Sequence, residues 1–425
     1  MFKRKIYPKL LAQSKDRKVS ILLGARQVGK TTLLKQLYEE LSKESKCLYL
    51  DLDILSNYEK ISTYELLLNT LIINGYQENQ KGLFYLFLDE FQKYSQVTKI
   101  IKNVYDNISN VKIYASGSSS LSIKKEVQES LAGRKLITKI YPLDFEEFLI
   151  FSKKEELIKN HQNIHKLQGD NLRESLKEYE FLLKEFMVFG GYPEVALKQT
   201  KEEKIIVLES IFDLYVKKDL IDYLKIDKIL GAKKLIEFLS VNNGQKIKYE
   251  EASKIINHSL KGVKDIIEIL EETFIIKVVK PYYTNKNKEI VKIPKIYFID
   301  NGVRNYFLRN FNDLSLRNDS GFLFEGFILS ELIKCNRDNI KFWQDKNGNE
   351  VDFLLEDELI PIEVKFKNEI NSSDFKGIRK FIEEYPKAKN PSIINLNVQK
   401  VEKGIELILP YSIFNIKFSY MHLHH

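Results

Sequence analysis

The chain has 425 residues, a hydrophobic fraction of 44% and a formal net charge of +8, which predicts a folded protein with more than one hydrophobic core. It contains no run of about 18 apolar residues and no apolar segment near the first residue, so we expect neither a membrane-spanning helix nor a signal peptide. Two widely spaced cysteines form no metal-binding pattern and favour a reducing, cytoplasmic environment. The 67 basic residues are interspersed with 59 acidic ones, a balance that permits a polyanionic partner such as DNA without requiring one.

A phosphate-binding motif follows the first apolar segment. Val19 to Leu23 predicts a buried parallel strand, which leads into Gly24-x-x-x-x-Gly29-Lys30-Thr31 and then into leucines at helical spacing. In such a loop, backbone N–H groups and the helix N-terminus bind phosphate oxygens. We expect Lys30 to neutralise the β- and γ-phosphates of ATP and the Thr31 hydroxyl to bind Mg²⁺. The predicted nucleotide-binding residues are Gly24, Ala25, Arg26, Gln27, Val28, Gly29, Lys30, Thr31 and Thr32.

An acidic pair ends a second apolar segment, Leu83 to Leu88. We expect Asp89 to hold Mg²⁺ through water and Glu90 to polarise the water that attacks the γ-phosphate. An acidic pair after an apolar strand is commonly a surface turn, but its position downstream of a phosphate loop favours the catalytic role. Glu90 and Lys30 are therefore the predicted catalytic residues.

Further apolar segments over residues 46–53 and 111–117 alternate with helical patterns such as residues 97–108. This alternation predicts one parallel sheet with helices on both faces. The second of these strands ends in Ser116-Gly117-Ser118-Ser119. Its hydroxyl groups either sense the γ-phosphate or belong to an ordinary serine-rich turn.

Together these motifs resemble a large prokaryotic family of AAA-type ATPases that carry a PD-(D/E)XK nuclease-like C-terminal domain of uncharacterised role. The resemblance covers nearly the whole chain and is weakest over residues 151–180. It implies that Ser118 is the sensor and that Arg134 is a candidate arginine finger, a residue that a neighbouring subunit of a homo-oligomer usually supplies. The alternative for Arg134 is a surface or salt-bridge arginine. The matching segments are residues 24–34, 88–92, 115–120, 131–134, 141–143, 145–148 and 190–193.

The middle of the chain begins with a charged segment, residues 151–228, that we interpret as a helical linker or lid. Within it, Gly190-Gly191-Tyr192-Pro193 predicts a structural hinge, and the family resemblance leaves a nucleotide contact open. Residues 229–300 show three helical patterns followed by two strands, which is the order of a winged-helix domain. Its third helix, Leu260 to Glu271, has an exposed face of mixed charge, so DNA binding and protein docking both remain open.

Carboxylates recur in the C-terminal part. A predicted helix over residues 322–335 carries Glu325, and a hairpin follows in which strand alternation puts Glu363 and Lys365 on one face within reach of Asp352. Carboxylate oxygens are ligands that Mg²⁺ and Mn²⁺ prefer, with Glu325 as a possible further ligand, and such a metal activates water while Lys365 stabilises charge. The arrangement resembles the PD-(D/E)XK nuclease core, but domains of this fold also serve only as binding modules.

The sequence thus predicts an α/β protein that binds and hydrolyses ATP and acts on DNA through a metal-dependent nuclease-like domain. The alternative is a nucleotide-controlled switch whose C-terminal domain is a non-catalytic module for a protein partner. The expected domains are an AAA-type P-loop sheet over residues 1–150, a helical linker over 151–228, a winged-helix-like domain over 229–300 and a PD-(D/E)XK nuclease-like α/β domain over 301–425.

Overall fold

The computed structural model describes residues 2–118, 129–154, 157–158, 169–214, 226–284, 292–335, 337 and 339–410. The chain forms two compact units, Met1–Tyr141 with Glu272–Phe274, and Pro142–Glu271 with Ile275–His425. In the described part, no helix has the length and apolar character needed to cross a membrane.

The first unit is built on a parallel sheet with the strand order β2-β3-β4-β1-β5. Its strands are β1 (Val19–Gly24), β2 (Cys47–Asp51), β3 (Phe84–Asp89), β4 (Val111–Ser118) and β5 (Lys135–Ile140). Its helices are α1 (Tyr7–Ala12), α2 (Lys30–Leu41), α3 (Leu55–Glu59), α4 (Tyr64–Ile73) and α5 (Gln96–Asn107).

Helices cover both faces of this sheet because its central strands are apolar on both faces. Every residue of β1, β3 and β4 is buried. Leu86 and Leu88 pack in one cluster with Ile101 of α5. Phe87 points to the opposite face, where its ring meets the ring of Tyr38 on α2 at 5.7 Å. The predicted parallel sheet with helices on both faces is confirmed.

The second unit begins with helices. They are α6 (Phe145–Phe151), α7 (Gly169–Phe189), α8 (Pro193–Leu197), α9 (Lys201–Leu214), α10 (Ile226–Val241), α11 (Tyr249–Ile256) and α12 (Leu260–Glu272). Two antiparallel strands follow, β6 (Ile276–Pro281) and β7 (Lys295–Phe298). The predicted order of three helices and two strands is present, although the predicted loop and strand start at 285–291 lie outside the described residues.

A mixed sheet carries the C-terminal part, with the strand order β12-β13-β11-β10-β9-β8-β6-β7. Its further strands are β8 (Ile340–Gln344), β9 (Glu350–Leu355), β10 (Ile360–Val364), β11 (Ser392–Ile394), β12 (Lys400–Glu402) and β13 (Ile405–Ile408). The remaining helices are α13 (Asn301–Leu308), α14 (Ser320–Lys334) and α15 (Lys376–Glu384), with short 3₁₀ turns at Leu314–Leu316 and Ser372–Phe375.

Strands β6 and β7 are part of this C-terminal sheet. Strand β6 pairs in parallel with β8 through Lys280 and Lys341. The two strands predicted as a wing therefore extend the sheet that carries the predicted carboxylates. On one face of that sheet, Trp343 packs with Ile378 and Phe381 of α15 in a buried cluster, as expected for a core tryptophan.

Candidate functional site

The loop between β1 and α2 has the backbone geometry of a phosphate cradle. Gln27 and Gly29 have positive φ angles of 60° and 94°, which curl the chain back toward the start of α2. A Cβ atom at Gly24 would lie 2.1 Å from the carbonyl oxygen of Ile140, so only glycine fits there. Gly29 provides no side-chain cap for α2, which leaves the helix N-terminus available to an anion.

Lys30 lies inside this loop with only 4% of its side chain exposed. Its Nζ donates hydrogen bonds to the carbonyl oxygens of Gly24 at 3.1 Å and Ala25 at 2.7 Å. Thr31 follows in the first turn of α2. The predicted lysine and hydroxyl are thus both held at the mouth of the loop by the strand-to-helix turn.

The acidic strand ends at the same edge of the sheet. Gly24 pairs in register with Ser118, and Leu88 pairs with Ala115, so the carboxyl ends of β1, β3 and β4 lie side by side. Asp89 is 1% exposed and follows Leu88 directly. The structure therefore brings the phosphate loop, Asp89 and Ser118 to one place.

Two hydroxyl groups fix the Asp89 carboxylate. The Tyr49 hydroxyl donates to Asp89 Oδ2 at 2.7 Å, and the Ser116 hydroxyl donates to Oδ1. Burial and the bond to Asp89 raise the pKa of Tyr49, so the phenol stays protonated and remains a donor. The sequence reasoning did not identify Tyr49, because its role depends on β2 lying beside β3.

Glu90 and Ser118 share one partner, Gln92. The Gln92 amide nitrogen donates to the Glu90 carboxylate and to the Ser118 hydroxyl at 3.0 Å. Glu90 has a φ angle of 54°, a left-handed conformation that is uncommon for a residue with a side chain and clusters at functional sites. Ser119, the next residue of the predicted serine cluster, lies outside the described residues.

Arg134 lies at the other edge of the same sheet. It precedes β5, which runs parallel to β1 with Val19 opposite Lys135 and Gly24 opposite Ile140. Five residue steps, about 16 Å, therefore separate it along the strand from the loop edge. Its guanidinium forms an ion pair with Asp106 at 2.7 Å. The structure does not bring Arg134 to the phosphate loop of its own chain.

The C-terminal hairpin brings its three predicted residues together. The Asp352 carboxylate accepts a hydrogen bond from the backbone N–H of Val364 at 2.8 Å, and Lys365 donates to Glu363 Oε1. Glu363 is 7% exposed, and its Oε2 atom is buried without a hydrogen-bond partner. An orphaned buried carboxylate oxygen is rare in folded proteins and indicates a position where a ligand is missing.

Glu325 belongs to the same cluster but already has partners. It accepts hydrogen bonds from the Tyr297 hydroxyl and from Lys295 Nζ at 3.3 Å. Lys295 Nζ also lies 2.5 Å from Glu350 Oε1 and 3.9 Å from Asp352 Oδ1. Sequence reasoning missed these groups because it placed β7 in a separate domain. The alternation of Lys295 and Tyr297 on one face of a strand was the available signal.

The electrostatics show that this cluster has an excess of negative charge. Burial raises the pKa of Glu325 to about 7, with Lys295 opposing and Asp352 adding to the shift. Burial and the neighbouring Asp352 raise the pKa of Glu363 to about 8. Lys295 has its pKa raised despite burial, because the surrounding carboxylates stabilise its charge. Across the described residues, no group of three His, Cys, Asp or Glu side chains is arranged closely enough to hold a metal ion.

The Gly190-Gly191-Tyr192-Pro193 motif has a packing role in the second unit. The Gly191 N–H donates to Asp300 Oδ2 at 2.7 Å, and the Gly191 carbonyl accepts from the Leu143 N–H at 2.6 Å. Gly190 has a φ angle of 77°, which explains the need for glycine at this position. The motif therefore joins segments that are distant in sequence.

Comparisons with known proteins divide the chain in three. Residues 16–149 match the family model described as an AAA domain. Residues 180–314 and 320–414 match two domains of unknown function, DUF8612 and DUF4143. These matches give no support to the nuclease-like assignment of the C-terminal part.

Curated relatives share the whole length of the chain at low identity. The uncharacterized protein MJ1544 of Methanocaldococcus jannaschii is 28% identical over 400 residues, covering 91% of this chain and 84% of that protein. An uncharacterized protein of Haemophilus influenzae is 26% identical over 316 residues, covering 72% and 73%.

Solved structures with a similar chain course include two P-loop proteins. The Walker-type ATPase PABY2304 of Pyrococcus abyssi is 15% identical with a TM-score of 0.46, covering 72% of this chain and 96% of that one. The Thermotoga maritima RuvB Holliday junction branch migration motor is 12% identical with a TM-score of 0.32, covering 68% and 94%. Scores below 0.5 carry no argument about activity. The parallel sheet, the phosphate loop, the acidic strand and the match over residues 16–149 identify the N-terminal part of the chain as an AAA-type P-loop ATPase domain.

Proposed function

We propose that this chain is a Mg²⁺-dependent ATPase that hydrolyses ATP at the loop between β1 and α2. The observation that carries the proposal is the meeting of Lys30, Asp89 and Glu90 at one edge of the sheet. A cation inside the loop, a fixed carboxylate and a second carboxylate beside it are the groups that phosphoryl transfer to water requires.

Each side chain has a distinct task in this reaction. Lys30 exchanges its carbonyl partners in the loop for the β- and γ-phosphates of ATP. Thr31 and Asp89 hold Mg²⁺, which neutralises phosphate charge when bound. The residues fit this ion because Tyr49 and Ser116 fix the Asp89 carboxylate at the open edge of the sheet.

Glu90 acts as the general base toward the attacking water. Its carboxylate is bound by Gln92, which also binds the proposed sensor, Ser118. In our proposal Ser118 contacts the γ-phosphate, so the same amide reports to Glu90 whether the γ-phosphate position is filled. Phosphate release by the purified chain tests the ATPase proposal, and absence of Mg²⁺-dependent turnover in well-folded protein overturns it.

We infer that Arg134, if it is an arginine finger, acts on the site of a neighbouring copy in a homo-oligomer. Its position about 16 Å along the strand from its own loop supports this inference. Mixing Lys30→Ala and Arg134→Ala chains tests it, because in a mixed oligomer an intact arginine can serve an intact loop. Recovery of turnover above that of either variant alone supports the role, and no recovery contradicts it.

A second candidate function is metal-dependent cleavage of DNA by the C-terminal sheet. The orphaned Oε2 atom of Glu363 supports it, because Asp352 and Glu363 then fit as oxygen ligands of Mg²⁺ or Mn²⁺. Such an ion activates water when bound. Lys365 would stabilise negative charge on the phosphodiester in the transition state.

Labelled single- and double-stranded DNA with Mn²⁺ or Mg²⁺, with and without ATP, tests this candidate. Cleavage that is lost in Asp352→Asn and kept in the exposed control Asp357→Asn supports a nuclease. No cleavage by folded, ATP-hydrolysing protein favours the alternative, a nucleotide-controlled switch whose C-terminal domain binds a protein partner.

A further inference from the structure

The C-terminal carboxylate cluster consists of Glu325 on α14, Glu350 and Asp352 on β9, and Glu363 on β10. A lysine that the hairpin motif does not include, Lys295 at the start of β7, lies within it. Its side chain is 6% exposed, and its Nζ lies 3.3 Å from Glu325, 2.5 Å from Glu350 and 3.9 Å from Asp352.

Three surrounding carboxylates match the three N–H donors of an ammonium group. A lysine is rarely buried without such partners, because removing its charge from water is costly. Lys295 is brought here by long-range pairing, since β7 pairs with β6, and β6 pairs with β8 of the C-terminal sheet. The contact is therefore a built feature of the fold.

The charges of the cluster are only partly balanced. Its four carboxylates face two buried or half-buried ammonium groups, Lys295 and Lys365, and one more exposed ammonium, Lys246, which lies 3.4 Å from Glu350. Lys295 fills the side of the cluster formed by Glu325 and Asp352. On the other side, Glu363 Oε2 is buried and has no partner.

We propose that Lys295 is a built-in cation that occupies the place of a divalent metal ion between Glu325 and Asp352, so that Mg²⁺ or Mn²⁺ binds there only by displacing its ammonium. This inference rests on the metal site proposed above and adds its regulation. An ammonium and a divalent cation repel each other and compete for the same carboxylate oxygens. Lys295 therefore lowers the affinity of the site for metal.

Mn²⁺ binding to the full chain without nucleotide, measured by calorimetry, tests this directly. The component lost in Asp352→Asn defines the C-terminal site. In that component we expect Lys295→Met to bind Mn²⁺ on the order of tenfold more tightly than wild type, because the competing charge is gone. The matched control is Lys277→Met on β6, whose lysine pairs with Glu271 at 3.3 Å outside the cluster. It should leave the affinity unchanged.

A second measurement uses the unaltered chain, so it stands even if Lys295→Met fails to fold. Acetylation of lysines by a short pulse of reagent, read by mass spectrometry, should increase at Lys295 when Mn²⁺ is added and stay constant at Lys277. Unchanged acetylation of Lys295 in protein that has bound Mn²⁺ at the Asp352-dependent site overturns the displacement.

The outcomes separate the inference from the proposal on which it rests. Asp352-dependent Mn²⁺ binding that is equal or weaker in Lys295→Met overturns only the role of Lys295. Absence of such binding in both proteins overturns the metal site itself, and the inference with it. Tighter binding in Lys295→Met supports both, whether or not DNA is cleaved.

Discussion

The carboxylate of Asp300 accepts a hydrogen bond at 2.7 Å from the backbone N–H of Gly191, which is 109 residues away in the sequence. Its other oxygen accepts from the N–H of Val303 at 3.1 Å and so caps α13. One side chain thus fixes both the loop after α7 and the start of a helix. The glycine motif and the turn near Asp300 are two halves of one contact.

Gly190→Ala should destabilise the second unit by about 2–3 kcal/mol. A Cβ atom at Gly190 would lie 2.0 Å from Asp300 Oδ1, and the φ angle of 77° is strained for alanine. Urea unfolding measures the effect. Gly321→Ala is the control, because a Cβ atom there meets nothing within 4 Å. Equal stability of the two variants would show that the contact is dispensable.

Lys30→Ala should weaken ATP binding by about 10- to 100-fold, the usual effect of removing a charged hydrogen-bond donor. The reason is that the Lys30 ammonium is the buried cation of the phosphate loop. A fluorescent ATP analogue gives the dissociation constant. Lys35→Ala, on the exposed side of the same helix, should bind normally. Unchanged binding by Lys30→Ala would remove the lysine from the nucleotide site.

Glu90→Gln should keep ATP binding and lower the turnover number by about 10²- to 10⁴-fold, as expected when a general base is lost. The amide retains the size of the side chain but accepts no proton from water. Binding and phosphate release are measured on the same preparation. Glu39→Gln, an exposed position on α2, provides the matched control. Undiminished turnover in Glu90→Gln would exclude Glu90 as the base.

Tyr49→Phe should raise the Mg²⁺ concentration needed for half-maximal ATP turnover by roughly fivefold, the effect of one hydrogen bond. The Tyr49 hydroxyl holds Asp89 Oδ2, and a freely rotating carboxylate binds the ion less well. Turnover should recover at high Mg²⁺. Tyr58→Phe, which loses only a bond to Gln96, is the comparison. A loss that high Mg²⁺ does not restore would indicate a folding defect instead.

Asp319 should contribute about 1–2 kcal/mol of stability that disappears in acid, a value reduced for its partial exposure. Burial opposes its ionisation, but hydrogen bonds with Arg317 and Arg304 lower the pKa of Asp319 to about 2. A carboxyl whose folded-state pKa is depressed stabilises the fold above the ordinary value of 3.8. That stability is lost as pH falls toward 2.

The measurement for Asp319 is the free energy of unfolding of wild type and Asp319→Asn from pH 5 to pH 2. The difference between them should shrink as the pH falls, because protonation removes the same ion pairs that the substitution removes. Asp357→Asn, at an exposed position, serves as the control. A difference that is constant with pH would mean that Asp319 acts through packing alone.

The sequence by itself determined the parts that depend on local chain geometry. A strand, a glycine loop and a helix follow one another within residues 19–41, so the phosphate site could be located from spacing alone. The same holds for the acidic pair at the end of β3. Asp352, Glu363 and Lys365 lie on one hairpin, where the two-residue period of strands places side chains on known faces.

Only the tertiary structure decided which distant groups complete these sites. Tyr49 reaches Asp89 because β2 is the neighbour of β3, and no periodicity in the sequence specifies that order. Lys295 enters the carboxylate cluster because β6 pairs with β8, which joins two regions that the sequence pattern separated. Local patterns record which face of an element is apolar, whereas the pairing of elements depends on how those faces are buried together.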